Sequence, residues 1–517
     1  MTTEARHHEH SQTGTSRIWL LLLCLAGIVF RLRQYFYSKS MWLDELSLAS
    51  QIIKRSFSDL LLSPLGHHQV APPGYLVLTK LSVLISGKSE YSLRAISILA
   101  GITGVIIAWR MADKIFHTQK ARAAFICLVG LSPILALYSA EGKQYGVDAC
   151  ITLLIVAITA QPGPMVHRWK SLLLTGVLAV LFSHPSVFVL FAAGILMLME
   201  PESRANGRAR LTALGVPAVW AAIFIFMLCT SLESSSGDSR LQRYWRHAFS
   251  PLPITSLEDL RWYGSFLLNL MQVSFGVARR YGNGTGTQYF AGANILLSLL
   301  MAAGAWRLFA INRRLALMAG LTFLTIILAS SFHLYPLRGR LLIFVVPFVY
   351  LCTASAFEYR FKSGALLSFA GAVILTLTHF RAATEGFVSP YNLPDAKSVM
   401  QCAAEQMQEN DMFLIPRSSM STFAFYRDRY KMKRINTRNL ANISPTKAAG
   451  KKGLTKTLGM LQYRGGRWWI FIFQRVQRTD ANLRPVFERN KIIATCTATG
   501  AKAYLLDAGT PAQGLQQ

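Results

Sequence analysis

Long apolar runs recur through the first 380 residues of this chain, without the alternation that marks a helix or strand with one wet face. Runs near residues 18–32, 92–109, 122–138, 147–160, 171–183, 185–199, 211–230, 289–309, 315–331, 341–357 and 364–379 approach the roughly 20 residues that cross a bilayer. They predict a polytopic α-helical membrane protein with about eleven transmembrane helices. No internal repeat is visible among them. After residue 380 the pattern changes. Residues 385–510 alternate a helix-like stretch, "DAKSVMQCAAEQMQ", with strand-like ones, "DMFLIP", "RWWIFIF", "KIIATC" and "KAYLLD". That alternation predicts a small α/β domain.

Charge on the loops orients the runs. With the N-terminus inside, the short inner loops are "RMADKIFHTQKAR", "HRWK", "ESRANGRAR", "RLFAINRR" and "EYRFK", each with at least two Lys or Arg. The opposite loops, "YSAEGKQYGVD", "SHPS" and "SFHLYPLRGR", carry fewer. The excess of cations on inner loops selects N-in and C-out. Residues 1–17 then form a disordered cytoplasmic tail whose His cluster reads as solvated. Residues 18–380 form the membrane module, with long outer loops at 33–91 and 231–288, and the 385–510 domain is extracytoplasmic. Loop 33–91 reads as interfacial helices, since "PPGYLVLTKLSVLISG" is interrupted by Pro, Gly and Lys. Loop 231–288 carries Arg240, Arg243, Arg246, Arg261, Arg279 and Arg280. "YGNGTGTQY" lacks the GK[ST] of a phosphate loop and reads as a flexible loop. No A-x-A site follows the first run, which reads as a retained signal-anchor.

Composition sharpens this picture. Of 517 residues, 52% are hydrophobic and 15% charged, and the mean hydropathy is +0.33. A soluble protein carries about 25% charged residues. The net charge of +29 would suggest nucleic acid in a soluble chain. Here inner-loop basicity accounts for much of it, the rest suits anionic lipid or a phosphate-bearing substrate, and no nucleic-acid-binding motif is present. Cys24, Cys127, Cys150, Cys229 and Cys352 lie in apolar runs and read as small core residues. Cys402 and Cys496 can pair if their domain is extracytoplasmic, but spacing alone leaves the pairing open.

Candidate chemistry collects on the outer side. The segment "SMWLDELSLAS" sets the acid pair Asp44 and Glu45 in an apolar stretch beside the first run. "GHHQVAPPGYL" (66–76), "YSAEGKQYGVD" (138–148) and "YPLRGR" (335–340) share that side. Singly, each has a plain structural reading: a helix cap, solvated His67 and His68, or lipid-facing Arg338 and Arg340. Together they suggest a site, because ionisable groups at a membrane are costly unless paired or used. A carboxylate takes a proton from a hydroxyl or holds a divalent metal, and His68 suits either task. Metal use is open on the sequence. Lys143, Arg338 and Arg340 suit a phosphate, Arg bidentately and Lys as a point charge. Tyr75 and Tyr145 suit hydrogen bonds to sugar or phosphate. No nucleotide signature is present. The residues suggest transfer of a phosphate-activated group at the outer membrane boundary.

These motifs, in this order, resemble the GT-C membrane glycosyltransferases that use lipid-linked sugars, the group of protein O-mannosyltransferases and aminoarabinose transferases. The family's "DE" pair appears as "WLDELSLA", its "PP.Y" as "APPGYLVLTKL" and its "sE..lR..s.l.g" as "SEYSLRAISILAG". Its "E.R.Y" is seen as "EGKQYGV" and its late "R....PF" as "RGRLLIFVVPF". The likeness spans most of residues 18–357. It implies inverting transfer of a sugar from a polyprenyl phosphate to a hydroxyl of a protein, lipid or glycan; no cofactor is fixed by it, and a divalent metal is left open. Asp44 would be the general base, and Glu45 would orient it or bind acceptor or metal. Lys143 and Arg340 would stabilise charge growing on the phosphate, and Glu141 matches the motif's acid. Lys143 stands where the family usually has Arg, and "HHQVAPPGY" differs from the usual His-Pro-Pro. The loop charges put the candidate site on the extracytoplasmic side of an integral membrane protein, and the absence of eukaryote-type retention signals points to a bacterial inner membrane. A transporter or flippase for lipid-linked sugars is the alternative, with alternating access and a site near the midplane.

Overall fold

The computed structural model describes residues 3–66, 69–229, 243–275, 291–359, 362–390, 394–416, 418–427, 429–430, 440–443, 465–473 and 476–509. They divide into two compact units. One takes the residues up to 38 and those of 51–390; the other takes 39–50 and those from 394 onward. The segment 39–50, read from the sequence as part of a loop of the membrane module, is counted with the C-terminal unit.

The first unit is helical. In chain order its leading helices are α1 (Thr3–Tyr37), α2 (Leu43–Lys54, which starts in the other unit), α3 (Phe57–Leu62), α4 (Pro73–Ser86), α5 (Glu90–Ile115), α6 (Gln119–Gly130), α7 (Pro133–Ser139), α8 (Tyr145–Thr159), α9 (Trp169–Phe182) and α10 (Ser186–Met199). α1 begins inside the polar tail, since a formed helix extends at little cost. Among the described residues, eight helices are long and apolar enough to span: Arg17–Tyr37, Glu90–Ile115, Met165–Phe182, Gly207–Met227, Gly292–Ile311, Arg313–Ser331, Gly339–Glu358 and Leu366–Val388. α6 and α7 make a further candidate, a pair bent by 42°. α4, α8 and α10 are shorter apolar helices. Every run read from the sequence thus falls on a helix, although α8 and α10 fall short of a full span. α4, read as interfacial, has 14 residues and rises only about 21 Å.

Segment Gly339–Glu358 is the centre of this unit. It is 94% buried, against 22–44% for the other seven spans. Its sequence explains this: "LLIFVVPFVYLCTASA" is apolar or small all round, so no face prefers another environment. Glu358 closes its end, accepting from the backbone N–H of His117 (2.7 Å) and Thr118 (2.8 Å).

The bend between α6 and α7 follows from Pro133, which cannot donate to the preceding turn. It strands the last carbonyls of α6. Buried Arg31 of α1 satisfies two of them, donating to Gly130 O at 2.5 Å and Val129 O at 2.9 Å, and also donates to Gly27 O of its own helix at 3.1 Å. A cation at a helix C-terminus is also favoured by the helix dipole. The two helices meet backbone to backbone: a Cβ on Gly27 would lie 2.6 Å from Gly130 Cα.

The second unit holds a five-stranded sheet ordered β2-β1-β3-β5-β4, with β1 Met412–Pro416, β2 Leu440–Ile443, β3 Arg467–Ile472, β4 Lys491–Ala498 and β5 Ala501–Asp507. β1 runs parallel to β2 and β3; β5 runs antiparallel to β3 and β4. Alternate residues face opposite sides. Phe413, Ile415, Trp469, Phe471 and Leu505 pack with helix Ala396–Gln406, while Leu414, Trp468, Ile470 and Leu506 pack with helix Val476–Arg489. Both faces are covered, so the central strands read as continuous apolar runs. The four strands expected from the sequence are present, and the short β2 is an addition. Asp411, buried at the start of β1, accepts from Arg467 Nε (2.7 Å) and Trp469 Nε1 (2.9 Å). Cys402 is disulfide-bonded to Cys496, tying helix Ala396–Gln406 to β4.

Two stability predictions follow from these contacts. Arg31→Met leaves carbonyls stranded in an apolar interior, where hydrogen bonds to a charged donor contribute about 1.5–3 kcal/mol each. The variant is expected to melt several degrees below wild type in detergent; an unchanged midpoint would show that the cap is dispensable. Replacing Cys402 and Cys496 by Ser is expected to cost about 2–5 kcal/mol. Peptide mapping without reductant should recover the 402–496 link, and free thiols at both positions would refute it.

Candidate functional site

The turn between α7 and α8, residues 140–144, is built from polar residues that the fold buries. Glu141 and Lys143 are each only 3% exposed. The turn closes on itself through Lys143 N–H to Glu141 O at 2.8 Å, and α8 starts with Asp148 N–H to Gln144 O at 2.9 Å. Three neighbours hold it. Ser97 of α5 donates to Lys143 O at 3.0 Å, and the Tyr75 hydroxyl of α4 lies 3.4 Å from Ser97 Oγ. The extended segment 69–72 lies alongside: Lys143 Nζ donates to Gln69 Oε1, and Gln144 Nε2 donates to Val70 O at 3.1 Å. That segment cannot back away, because Gly74 sits against the end of α9, where a Cβ would lie 2.8 Å from Leu181 O.

Arg340 reaches the same place from the turn before the central span. Its guanidinium lies over the Tyr145 ring, 5.6 Å from the centroid, and Tyr138 meets Tyr145 edge-on at 5.3 Å. Gly339 takes a positive φ of +57° there, and its N–H donates to Asn269 Oδ1 at 3.2 Å. Arg338, one residue earlier, is exposed, and nothing in the structure joins it to this group. Tyr75, Glu141, Lys143, Tyr145 and Arg340 are thus brought together. His68 lies outside the described residues.

Asp44 and Glu45 belong to the second unit. They occupy the first turn of α2, where the helix dipole favours negative charge. Glu45 is buried and accepts from the Trp42 N–H at 3.4 Å; Asp44 is half-buried. The chain before them is fixed to the C-terminal residues. Met41 N–H donates to the Tyr426 hydroxyl at 2.8 Å, and Lys397 N–H donates to Ser40 Oγ at 3.1 Å. Among the described residues, no three His, Cys, Asp or Glu side chains group as a metal site would need.

Several polar residues of the first unit were not singled out from the sequence: Gln69, Ser97, Asp148, Ser183 and His184. Gln69 and Ser97 are neutral and common, and only the fold shows what they hold. Asp148 sits inside an apolar run, a signal in itself. Tyr335, between the spans, lies edge-on to Phe188 at 5.2 Å. Burial first, then the charges at Asp148 and Tyr145, hold its hydroxyl well above the usual phenol range.

Comparison with known proteins gives a family match over part of the chain and a fold. Residues 70–231 match the family model described as dolichyl-phosphate-mannose-protein mannosyltransferase. No curated protein matches the chain. Among solved structures, ArnT from Cupriavidus metallidurans bound to undecaprenyl phosphate superposes with a TM-score of 0.51 at 12% identity, covering 96% of this chain and 99% of that one. The archaeal oligosaccharyltransferase AglB from Archaeoglobus fulgidus, in complex with an inhibitory peptide and a dolichol-phosphate, gives 0.46 at 12% identity over 94% and 74%. The resemblance read from the sequence stands: the chain has the GT-C membrane fold with a small C-terminal sheet.

His184 supplies a pH prediction. It lies in the turn after α9, and burial pushes its imidazole down to about 4, with the Ala71 backbone opposing. Its folded value is below its unfolded value of about 6.5, so the unfolded chain binds the extra proton between them. Stability is therefore complete above about pH 6.5 and declines as pH falls toward 4. His184→Gln should flatten thermal stability over that window; an unchanged slope would remove His184 as its source.

Proposed function

We propose that this protein is an inverting glycosyltransferase that moves a sugar from a polyprenyl phosphate to a hydroxyl acceptor at the extracytoplasmic face of a membrane. The observation that carries this reading is the match over residues 70–231, the stretch that builds the buried turn of Glu141, Lys143 and Tyr145. A fold neighbour bound to undecaprenyl phosphate supports the same donor class. The Cys402–Cys496 disulfide supports an oxidising compartment for the second unit, in keeping with the inner-loop cations that favour N-in.

In this reading Asp44 takes the proton of the acceptor hydroxyl. The acceptor oxygen attacks the anomeric carbon from the side opposite the phosphate, the carbon–oxygen bond to phosphate breaks, and polyprenyl phosphate leaves. Charge grows on the bridging oxygen as that bond lengthens. Lys143 and Arg340 are the cations assigned to it; fixed charges in a dry site are worth a few kcal/mol in such a role. Glu45, held by the Trp42 N–H, steadies the first turn of α2 and so positions Asp44.

The test is release of polyprenyl phosphate by purified protein from a panel of polyprenyl-phosphate sugars, with peptide, lipid A and glycan acceptors. Asp44→Asn is expected to lose about 10²–10⁴-fold in turnover with its melting point kept. Lys143→Met is expected to lose about 10²–10³-fold. Equal turnover by wild type and Asp44→Asn would remove Asp44 as base. No turnover with any donor, together with donor movement across vesicles, would replace the transferase by a flippase.

A further inference from the structure

A second polar group lies in the first unit beside the buried turn and has no role so far. Asp148 is one turn along α8 from Tyr145, so the two share a face. It is 4% exposed, and Ser183, at the C-terminal end of α9, lies beside it and is 1% exposed. His184 follows, in contact with the Ala71 backbone of the segment that also holds Lys143 and Gln144. Tyr335, close enough to feel both Asp148 and Tyr145, completes the group, with Phe188 as an aromatic neighbour.

The hydrogen bonding of this group is incomplete. Asp148 and Ser183 face one another and His184 faces the Ala71 backbone, but none of these approaches closes to full hydrogen-bond geometry, so Asp148 Oδ1, Ser183 Oγ and both ring nitrogens of His184 stay buried without a well-formed bond among the described residues. Four such atoms are expensive, at about 1–3 kcal/mol for each buried donor or acceptor left unmade. A fold that keeps them in one place offers them to something that brings its own hydroxyls. Their chemistry is mixed: a carboxyl group, a hydroxyl that both donates and accepts, an imidazole with one donor and one acceptor, and aromatic rings at the side. That mixture matches a sugar ring, whose vicinal hydroxyls donate and accept and whose C–H face packs on an aromatic. It suits a metal poorly, having two ligand-type side chains where a site needs three or more.

We propose that Asp148, Ser183 and His184 form the pocket that reads the sugar of the donor, with the phosphate held by Lys143 and Arg340. The inference rests on the donor reading above and deepens it. Asp148 and His184 are specificity determinants here; no bond to the reacting carbon is assigned to them.

The experiment separates lipid from sugar. Full-length protein in nanodiscs is titrated with undecaprenyl phosphate and with undecaprenyl-phosphate mannose, glucose and galactose. For wild type, one sugar lipid is expected to bind at least tenfold tighter than the bare lipid and than its epimers. Asp148→Asn and the milder Ser183→Ala are expected to lose that preference by tenfold or more, while binding bare undecaprenyl phosphate as wild type does. That retained affinity also certifies the fold of each variant. Lys143→Met is the counterpart, expected to weaken all four lipids alike. Variants that keep the sugar preference, or that weaken bare and sugar lipids equally, overturn the pocket. A wild type that turns over the sugar lipids yet binds all four alike also overturns it and leaves the transferase reading standing. A wild type that binds none of the four overturns the donor reading and the pocket with it.

Discussion

The constraint on which the site depends is the burial of a charged turn between two apolar helices. An ammonium and a carboxylate two positions apart persist in an apolar interior only where partners hold them. The chain meets this with backbone as much as with side chains. Lys143 is held at its carbonyl by Ser97 and at its ammonium by Gln69, and Gln144 is held by Val70 O. Those partners come from α5 and from the segment before α4, so two stretches distant from the turn in sequence are tied to it. The close approach at Gly74 then pins that segment to α9. A side chain there would push 69–72 off Lys143, which ties a glycine with no chemistry to the position of a cation.

The same logic explains what was legible. Spans were readable because each must be apolar over its length, and hydrophobicity is additive along a window. The strands of the second unit were readable because helices cover both sheet faces, making the middles of β1, β3 and β5 apolar on both sides. β2, four residues long, carries too few positions for any pattern to rise above chance. Charged site residues stood out because charge is rare in this chain; Lys143, Glu141 and Arg340 are each conspicuous against an apolar background. Gln69 and Ser97 were not, since a neutral polar residue costs little to place anywhere and so signals little. Arg338 shows how equal sequence signals diverge in the fold. Its sequence neighbourhood equals that of Arg340, but the positive-φ Gly339 turns the chain between them, leaving Arg338 in the open and Arg340 over Tyr145.

The segment 39–50 was the least legible part. Sequence order places it between α1 and α3, and proximity along the chain argued for a loop of the membrane module. Its contacts go instead to residues more than 350 positions later, through Met41 to Tyr426 and Ser40 to Lys397. Such pairings leave no local signature. Their consequence is mechanical: the acids in the first turn of α2 are anchored through a unit that a disulfide braces and whose sheet is packed on both faces. A general base needs its carboxylate held to within a fraction of an ångström of a working position. A short helix start on an otherwise free loop would not provide that. Anchoring Met41 and Ser40 to the packed α/β layer would, and in the proposed reading the C-terminal unit, to which Asp44 itself belongs, supplies that anchorage.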